Sequence, residues 1–242
     1  MKVSLVDHMG SDLSIVNAAR VSFDTHHDSV KEGDHKLIKY LADHNHWSPF
    51  AHTSLQFRIK APIFVARQLA KHQVGLVWNE ISRRYVDSEP EVYYPEKWRG
   101  KPVNKKQGSS NVEIDINPKS PSGPAMVDEY HHAVKKCQWT YTHLIRIGVA
   151  PEMARMVLPQ SAYTEWYWTG SLYAFHRVCS LRLAEDAQHE TREIAKEINK
   201  LCAISFPISW DCLDNVKEYP STGFTDCFGV LPRIDPNPEG RN

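Results

Sequence analysis

The chain has 242 residues, enough to bury a sizeable core, and one large domain over 1–242 is the simplest expectation. Its 29 basic and 29 acidic side chains balance, which excludes a global field that would recruit nucleic acid or an anionic membrane. Five widely spaced cysteines, a polar start and the lack of long apolar runs predict a reduced, cytoplasmic protein without a disulfide framework or a membrane span.

The first part of the chain predicts a short strand, two helices and one longer strand. The strand "KVSLV" comes first, and a helix with Ser11 or Asp12 as its N-cap follows over residues 11–23. Asp34 is in position to cap a second helix. In "TSLQFRIKA", apolar and polar residues alternate over 53–60, which is typical of a strand with one buried face.

The middle of the chain predicts two helical regions separated by a long loop. Proline begins a helix over 62–73, which Gly75 ends. Residues 96–124 are rich in Lys, Gly, Ser, Pro and Asn, which indicates a surface loop inserted in the fold. Apolar residues then return at helical spacing over 130–145. We expect the proline-rich tail from about 230 to be loosely held.

The segment before the tail predicts a second strand and a long helix. The aromatic and threonine residues of "YTEWYWTG" favour a strand, because such side chains pack well on a pleated surface. Ser171 follows as a candidate N-cap. Apolar residues at helical intervals then predict one continuous helix over 171–203 that serves as a structural spine.

Several familiar site motifs are missing, and two weaker patterns have structural alternatives. Neither G-x-G-x-x-G nor G-x-x-x-x-G-K-[ST] occurs, so a nucleotide would need another kind of cradle. The helical charges Asp186, His189 and Glu190 could form half of a di-metal site, but a second half is missing and we assign no metal. The lysines and arginine of 97–106 could contact phosphates, although a solvated loop is the favoured interpretation.

The richest polar stretch is "ARQLAKHQVGLVWNEISRRYVD", residues 66–87. Gln68 and Lys71 share one face of the predicted helix, and further donors follow at its end. Ser82, Arg83 and Arg84 offer a hydroxyl, two guanidinium groups and backbone N–H groups, which suit a phosphate monoester. The alternative is a surface turn with salt bridges that contribute little to stability.

Two further arginines occur in apolar surroundings. Arg155, in "PEMARMVLPQ", and Arg182, in "VCSLRLAEDAQHE", both fall on predicted helices among apolar residues. An unpaired buried cation is costly, so a bound anion or an acidic partner is expected at each. Buried ion pairs within the chain are the alternative explanation.

Six ordered blocks resemble the flavin-dependent thymidylate synthases: "VSLVDHMGSDLSIVNAARVSFD", "HWSPFAH", "APIFVARQ", "NEISRRY", "ARMVLP" and "SLRLAEDAQHE". The signature of that family is R-H-R, seven residues, then serine. Here Lys71, His72 and Gln73 form the triplet, and eight residues separate Gln73 from Ser82. Ala51 stands where some members have glutamate, so a role for that carboxylate does not carry over.

The resemblance implies an α+β fold, with helices around a central antiparallel sheet, and a homotetramer whose active sites lie between subunits. The implied reaction is reductive methylation of dUMP to dTMP, with 5,10-methylenetetrahydrofolate as carbon donor and NADPH as reductant through FAD. Arg182 is the implied catalytic residue, on the uracil edge. The residues implied around dUMP are Gln68, Lys71, Glu80, Ser82, Arg83, Arg84, Arg155 and Arg182. Those implied around FAD are His46, Ser48, Lys71, His72, Gln73, Glu80, Ser171 and Arg177.

Two other hypotheses remain at this point. The altered triplet is compatible with a deoxynucleotide-binding homologue that has lost flavin chemistry. A helical metal protein would use Asp186, His189 and Glu190 and would contain iron or manganese. None of the five cysteines lies in the proline-cysteine-histidine context of a classical synthase, which agrees with a reaction that needs no enzyme nucleophile.

Overall fold

A four-stranded antiparallel sheet organises the chain. The computed structural model describes residues 1–103, 108–117 and 125–216. The strand order is β1-β2-β4-β3, so β4 pairs with both β2 and β3. The strands are β1 (Lys2–Met9), β2 (Ser54–Pro62), β3 (Leu76–Glu80) and β4 (Tyr163–Ser171).

The two central strands follow the alternation expected from the sequence. Phe57 lies opposite Trp168 and Ile59 lies opposite Trp166, and all four side chains are buried on one face of the sheet. The other face is polar, and Arg58 pairs there with Glu165 at 2.5 Å. Because successive side chains of a strand point to opposite faces, this register gives the sheet one apolar and one polar side. Both strand predictions are confirmed.

Helices cover the apolar side of the sheet. Phe175 packs edge-on against Phe57, with ring centroids 4.8 Å apart, and against Trp168 at 5.4 Å. The α+β architecture expected from the resemblance is confirmed. No helix in the described ranges combines the length and hydropathy needed to cross a membrane. The helices are α1 (Asp12–Arg20), α2 (Glu32–Asp43), α3 (Ile63–Leu69), α4 (Met126–Arg146), α5 (Pro151–Ala154), α6 (Leu172–Arg182), α7 (His189–Ser205) and α8 (Pro207–Asp214).

The N-cap predictions have mixed outcomes. Ser11 precedes α1 and Ser171 precedes α6, and the Ser171 hydroxyl accepts the N–H of Ala174 at 3.2 Å. Asp34 is not an N-cap, because α2 begins at Glu32 after Lys31. The Asp34 carboxylate instead lies in the first turn and accepts the backbone N–H of Lys31 at 2.8 Å. This is a favourable place for a negative charge near a helix N-terminus.

Two predicted helices have wrong boundaries. Helix α3 ends at Leu69 and not at residue 73, and the apolar residues that follow it form β3. The long helix over 171–203 is two helices, interrupted at 183–188. The Arg192 guanidinium donates to the backbone carbonyls of Glu185 and Ala187, which satisfies carbonyls that an unbroken helix would have paired.

The predicted surface loop is only partly described. Within 96–103 and 108–117 the chain contains no helix, and an isolated bridge joins Arg99 to Glu113. Lys97 pairs with Glu113 at 3.2 Å, and both side chains are mostly exposed. The remainder of this loop and the proline-rich tail lie outside the described residues, as does Cys227.

Candidate active site

Arg182 meets the C-terminal end of α3. Its Nε donates a hydrogen bond to His72 Nε2 at 2.9 Å, and one terminal nitrogen donates to the Gln68 carbonyl at 3.4 Å. The guanidinium is half-buried, and these two partners are an imidazole and a carbonyl and not a carboxylate. The sequence offers two explanations for Arg182, a bound anion or an ion pair within the chain. Among the described residues, Arg182 forms no such ion pair.

Burial, together with the charges around it, keeps the imidazole of His72 neutral. Burial lowers the pKa of His72 to about 4, and the positive charges of Arg182 and Arg177 act in the same direction. A neutral imidazole has one nitrogen that can accept a hydrogen bond. Nε2 fills that role here because Arg182 can only donate. Near neutral pH, His72 is therefore an uncharged acceptor.

A hydrogen-bonded chain connects Gln68 to the N-terminal end of α7. The Gln68 amide donates to the Gln188 side chain and accepts from the Thr191 hydroxyl at 3.2 Å. Gln188 in turn donates to Glu190 at 3.0 Å. Gln68, expected at the nucleotide, thus has both ends of its amide held by neighbouring residues.

Glu190 is a buried carboxylate that forms an ion pair with Arg99. Its side chain is 4% exposed and accepts a hydrogen bond from Arg99 at 2.5 Å. Burial alone would raise the pKa of Glu190, but hydrogen bonds from Arg99 and Gln188 hold it below its ordinary value. Arg99 is therefore not part of a merely solvated basic loop, and that interpretation is wrong for this residue.

Glu80 is oriented by two side chains. The Thr164 hydroxyl donates to one carboxylate oxygen at 2.5 Å, and the Trp78 indole N–H donates to the other at 3.1 Å. Trp78 stacks on the buried Trp166, with ring centroids 4.3 Å apart. Strand β3 pairs with β4 from Leu76 to Glu80 without a register shift, so the additional residue of the spacer does not bulge out of this strand.

A cationic turn follows β3. The Ser82 hydroxyl accepts the backbone N–H of Arg84 at 3.3 Å. Arg84 pairs with Glu152 at 3.5 Å, and Arg155 donates to the Glu152 carbonyl at 3.3 Å. Arg83 donates to the backbone carbonyl of Ser88. Arg155 is exposed, so the expectation of apolar surroundings for this residue is wrong.

A cleft of about 660 Å³ lies at the N-terminal end of α6. Ser171 and Arg177 line it, together with the facing aromatic pair Trp47 and Tyr173, and Gly75 forms part of its wall. The six other residues expected near FAD do not line this cleft: His46, Ser48, Lys71, His72, Gln73 and Glu80. His46, Ser48 and Gln73 are adjacent in sequence to lining residues, Lys71 and His72 follow α3, and Glu80 ends β3.

A second cleft, of about 520 Å³, was missed by sequence reasoning. Aromatic side chains line it, including Phe64, Tyr93 and Trp98, and the Arg99–Glu190 pair forms its polar wall. Arg99 and Glu190 are far apart in sequence, so no local pattern marks them as neighbours. Only the tertiary structure brings them together.

The metal hypothesis gains no support from the described ranges. They contain no group of three or more His, Cys, Asp and Glu side chains that could hold a metal ion. Asp186 lies in the interruption between α6 and α7, so it does not share one continuous helical face with His189 and Glu190. Glu190 is already bonded to Arg99 and Gln188.

Comparisons with known proteins agree on one family. The family model described as "Thymidylate synthase complementing protein" matches residues 4–208. A flavin-dependent thymidylate synthase of Thermus thermophilus is 41% identical over 212 residues, which is 86% of this chain and 73% of that protein. The enzyme of the same name from Kosmotoga olearia is 38% identical over 213 residues, or 88% and 90% of the two chains.

A solved structure supports the same assignment. The UMP/dUMP methylase PolB from Streptomyces cacaoi, bound with 5-Br dUMP, superposes with a TM-score of 0.75 and 29% sequence identity. The match covers 89% of this chain and 95% of that one. The fold, the matched residues and the relatives lead to one conclusion: the chain belongs to the flavin-dependent thymidylate synthase family.

Proposed function

We propose that this protein converts dUMP to dTMP by reductive methylation, with 5,10-methylenetetrahydrofolate as carbon donor and NADPH as reductant through bound FAD. The observation that carries the proposal is Arg182, a half-buried guanidinium whose partners are both uncharged. The names of the relatives and the nucleotide in the PolB structure support the substrate.

The charge of Arg182 suits the electrostatics of this reaction. Uracil becomes nucleophilic at C5 as negative charge develops on N3 and its carbonyl oxygens. A guanidinium stays charged at neutral pH and can stabilise that charge through hydrogen bonds, without giving up a proton. Stabilisation that is stronger in the transition state than in the ground state raises the rate. Arg182 is our proposed catalytic residue.

The cysteines support a reaction without an enzyme thiolate. Burial raises the pKa of Cys179 and of Cys202 far above the ordinary range, and it raises the pKa of Cys212 to about 11. Because the thiolate is the nucleophilic form, these three groups are unreactive near neutral pH. The classical cysteine mechanism is therefore a poor match for them.

The nucleotide phosphate is assigned to the cationic turn. Arg84 and Arg155 are exposed and converge on Glu152, and their guanidinium groups suit bidentate contacts with a phosphate. We further propose that Gln68, Lys71, Glu80, Ser82 and Arg83 complete the dUMP site. We also propose a homotetramer with active sites assembled between its subunits, as the family resemblance implies.

The cleft at α6 has the donors that a flavin dinucleotide needs. The hydroxyl of Ser171, the guanidinium of Arg177 and the first N–H groups of α6 offer positive potential for a pyrophosphate. A Cβ atom at Gly75 would lie 3.2 Å from the side chain of Ala174, so a larger residue in this wall would press on that side chain. Bound FAD would supply the electrons taken from NADPH. We propose that His46, Ser48, Lys71, His72, Gln73 and Glu80 also border it.

A spectrum and one variant test this proposal. We expect the purified protein to be yellow, to be bleached by NADPH, and to form dTMP only when methylenetetrahydrofolate is present. Arg182→Ala should retain flavin and lose most turnover, whereas the exposed Lys200→Ala should behave as the wild type. Near-normal turnover in Arg182→Ala would contradict the catalytic role. A colourless protein that binds dUMP would instead be the homologue without flavin chemistry.

A further inference from the structure

We infer that His72 is a positioning residue, whose Nε2 atom holds the guanidinium of Arg182 in its working orientation. The family resemblance associates His72 with the flavin and assigns it no part in placing Arg182. The inference rests on the proposed function, because it concerns the arginine that would stabilise the uracil anion.

Arg182 needs an external support. It is the last residue of α6, and the chain leaves helical geometry over 183–188. A long side chain at a helix end samples many rotamers, and ordering it costs up to about 2 kcal/mol of side-chain entropy. A partner on another element is therefore required if the guanidinium is to keep one orientation.

The end of α3 supplies that support. His72 accepts from Arg182 Nε at 2.9 Å, and its own backbone N–H donates to the Leu69 carbonyl at 3.0 Å, which fixes the turn after α3. The second anchor is the Gln68 carbonyl at 3.4 Å, one of the last carbonyls of α3. His72 makes the shorter of the two contacts and is the principal support.

The chemistry of the support explains why an imidazole suits this position. A carboxylate would hold the guanidinium equally well, but its negative charge would oppose the positive charge that the reaction uses. A protonated imidazole would repel Arg182 and would lose its acceptor. Burial and the charges of Arg182 and Arg177 lower the pKa of His72, so its imidazole stays neutral. It therefore neither repels Arg182 nor loses its acceptor. Arg182 is thus oriented while its charge remains available.

The support is itself held by the fold. Thr191 and Gln188 of the α7 region bind the Gln68 side chain. The helix end that carries both acceptors therefore has little freedom to move relative to α7. Supporting contacts of this kind keep a catalytic group within the narrow geometric tolerance that catalysis requires.

Two substitutions of His72 test the inference. His72→Leu removes the acceptor at similar size, whereas His72→Gln can present a carbonyl oxygen near the position of Nε2. We expect His72→Leu to retain flavin and to lower kcat by about 100-fold, with a change in KM for dUMP of less than about fivefold. His72→Gln should recover kcat to within about tenfold of the wild type.

A crystal structure provides a readout that does not depend on turnover. Arg182 should keep its hydrogen bond to residue 72 in the wild type and in His72→Gln, and should change rotamer in His72→Leu. Normal kcat in His72→Leu would overturn the inference. Joint loss of flavin and turnover, without rescue by His72→Gln, would also overturn it, because holding the flavin that it borders would then be the main role of His72. A wild-type protein that forms no dTMP would instead refute the proposed function.

Discussion

Removing the cation of a buried ion pair should destabilise this protein far more than removing one at the surface. Arg99 and Glu190 form such a pair at 2.5 Å, with side-chain exposures of 25% and 4%. In Arg99→Met the carboxylate stays buried and keeps only neutral donors, which include its own backbone N–H, Gln188 at 3.0 Å and Tyr93 at 3.4 Å. Neutral donors compensate a buried charge incompletely.

The expected cost follows from the burial of the carboxylate. Breaking a buried ion pair by removing one partner costs about 3–5 kcal/mol, and the lower end applies because Arg99 is partly exposed. For a chain of this size, each kcal/mol lowers Tm by roughly 2–4 °C. Arg99→Met should therefore lower Tm by about 6–12 °C. The double variant Arg99→Met/Glu190→Gln should recover part of that loss, because no uncompensated charge remains.

Thermal unfolding at one fixed protein concentration measures these effects, since assembly also contributes to Tm. Lys97→Met is the matched control, because the Lys97–Glu113 pair has exposures of 69% and 57% and should contribute less than about 1 kcal/mol. If Arg99→Met loses no more than Lys97→Met, the pair contributes no more than a surface bridge. A double variant less stable than Arg99→Met would contradict the assignment of the cost to Glu190.

Three further predictions concern stability and activity. Burial alone would raise the pKa of Asp34, but its hydrogen bonds lower it from 3.8 to about 2. The stability that its charge provides is therefore present above about pH 4 and is lost as pH falls towards 2. Urea unfolding at several pH values should show a weaker pH dependence for Asp34→Asn than for the wild type. Gly75→Ala should cost about 1–2 kcal/mol in thermal unfolding, because φ is +75° and the new Cβ would meet another side chain at 3.2 Å; Gly33→Ala, in open space, should cost nothing. Neutralising Lys97 and Lys101 should leave KM for dUMP unchanged, and a large rise would restore a phosphate-binding role for that loop.

Strands β2 and β4 are predictable because their information is local. Leu55, Phe57 and Ile59 alternate with polar residues, and that pattern alone defines the buried face of β2. The interruption at 183–188 was not predictable, because apolar residues continue at helical spacing through it. Strand β3 is absent from the sequence prediction, because its run of five residues is too short to carry a clear periodic signal.

In the candidate site, too, the local features are visible in the sequence and the tertiary contacts are not. The polar residues of 66–87 and the unusual position of Arg182 are visible in the sequence, because polar groups there exceed what solubility requires. Their partners are not visible, since Arg182 and His72 lie on different elements and Arg99 and Glu190 are joined only by tertiary packing. Sequence periodicity reports which face of an element is buried, but not which side chain it meets.

The position of β4 in the sheet has a consequence for how the chain is made. β4 lies between β2 and β3, although β3 ends at Glu80 and β4 begins only at Tyr163. While the ribosome synthesises the intervening residues, β2 and β3 have no central strand to join them, and each leaves an edge open to mispairing. Pairing of such sequence-distant strands is slow. A nascent chain that stops before β4 therefore cannot form this sheet, and residues 163–171 are the point of synthesis at which the two earlier strands become one structure.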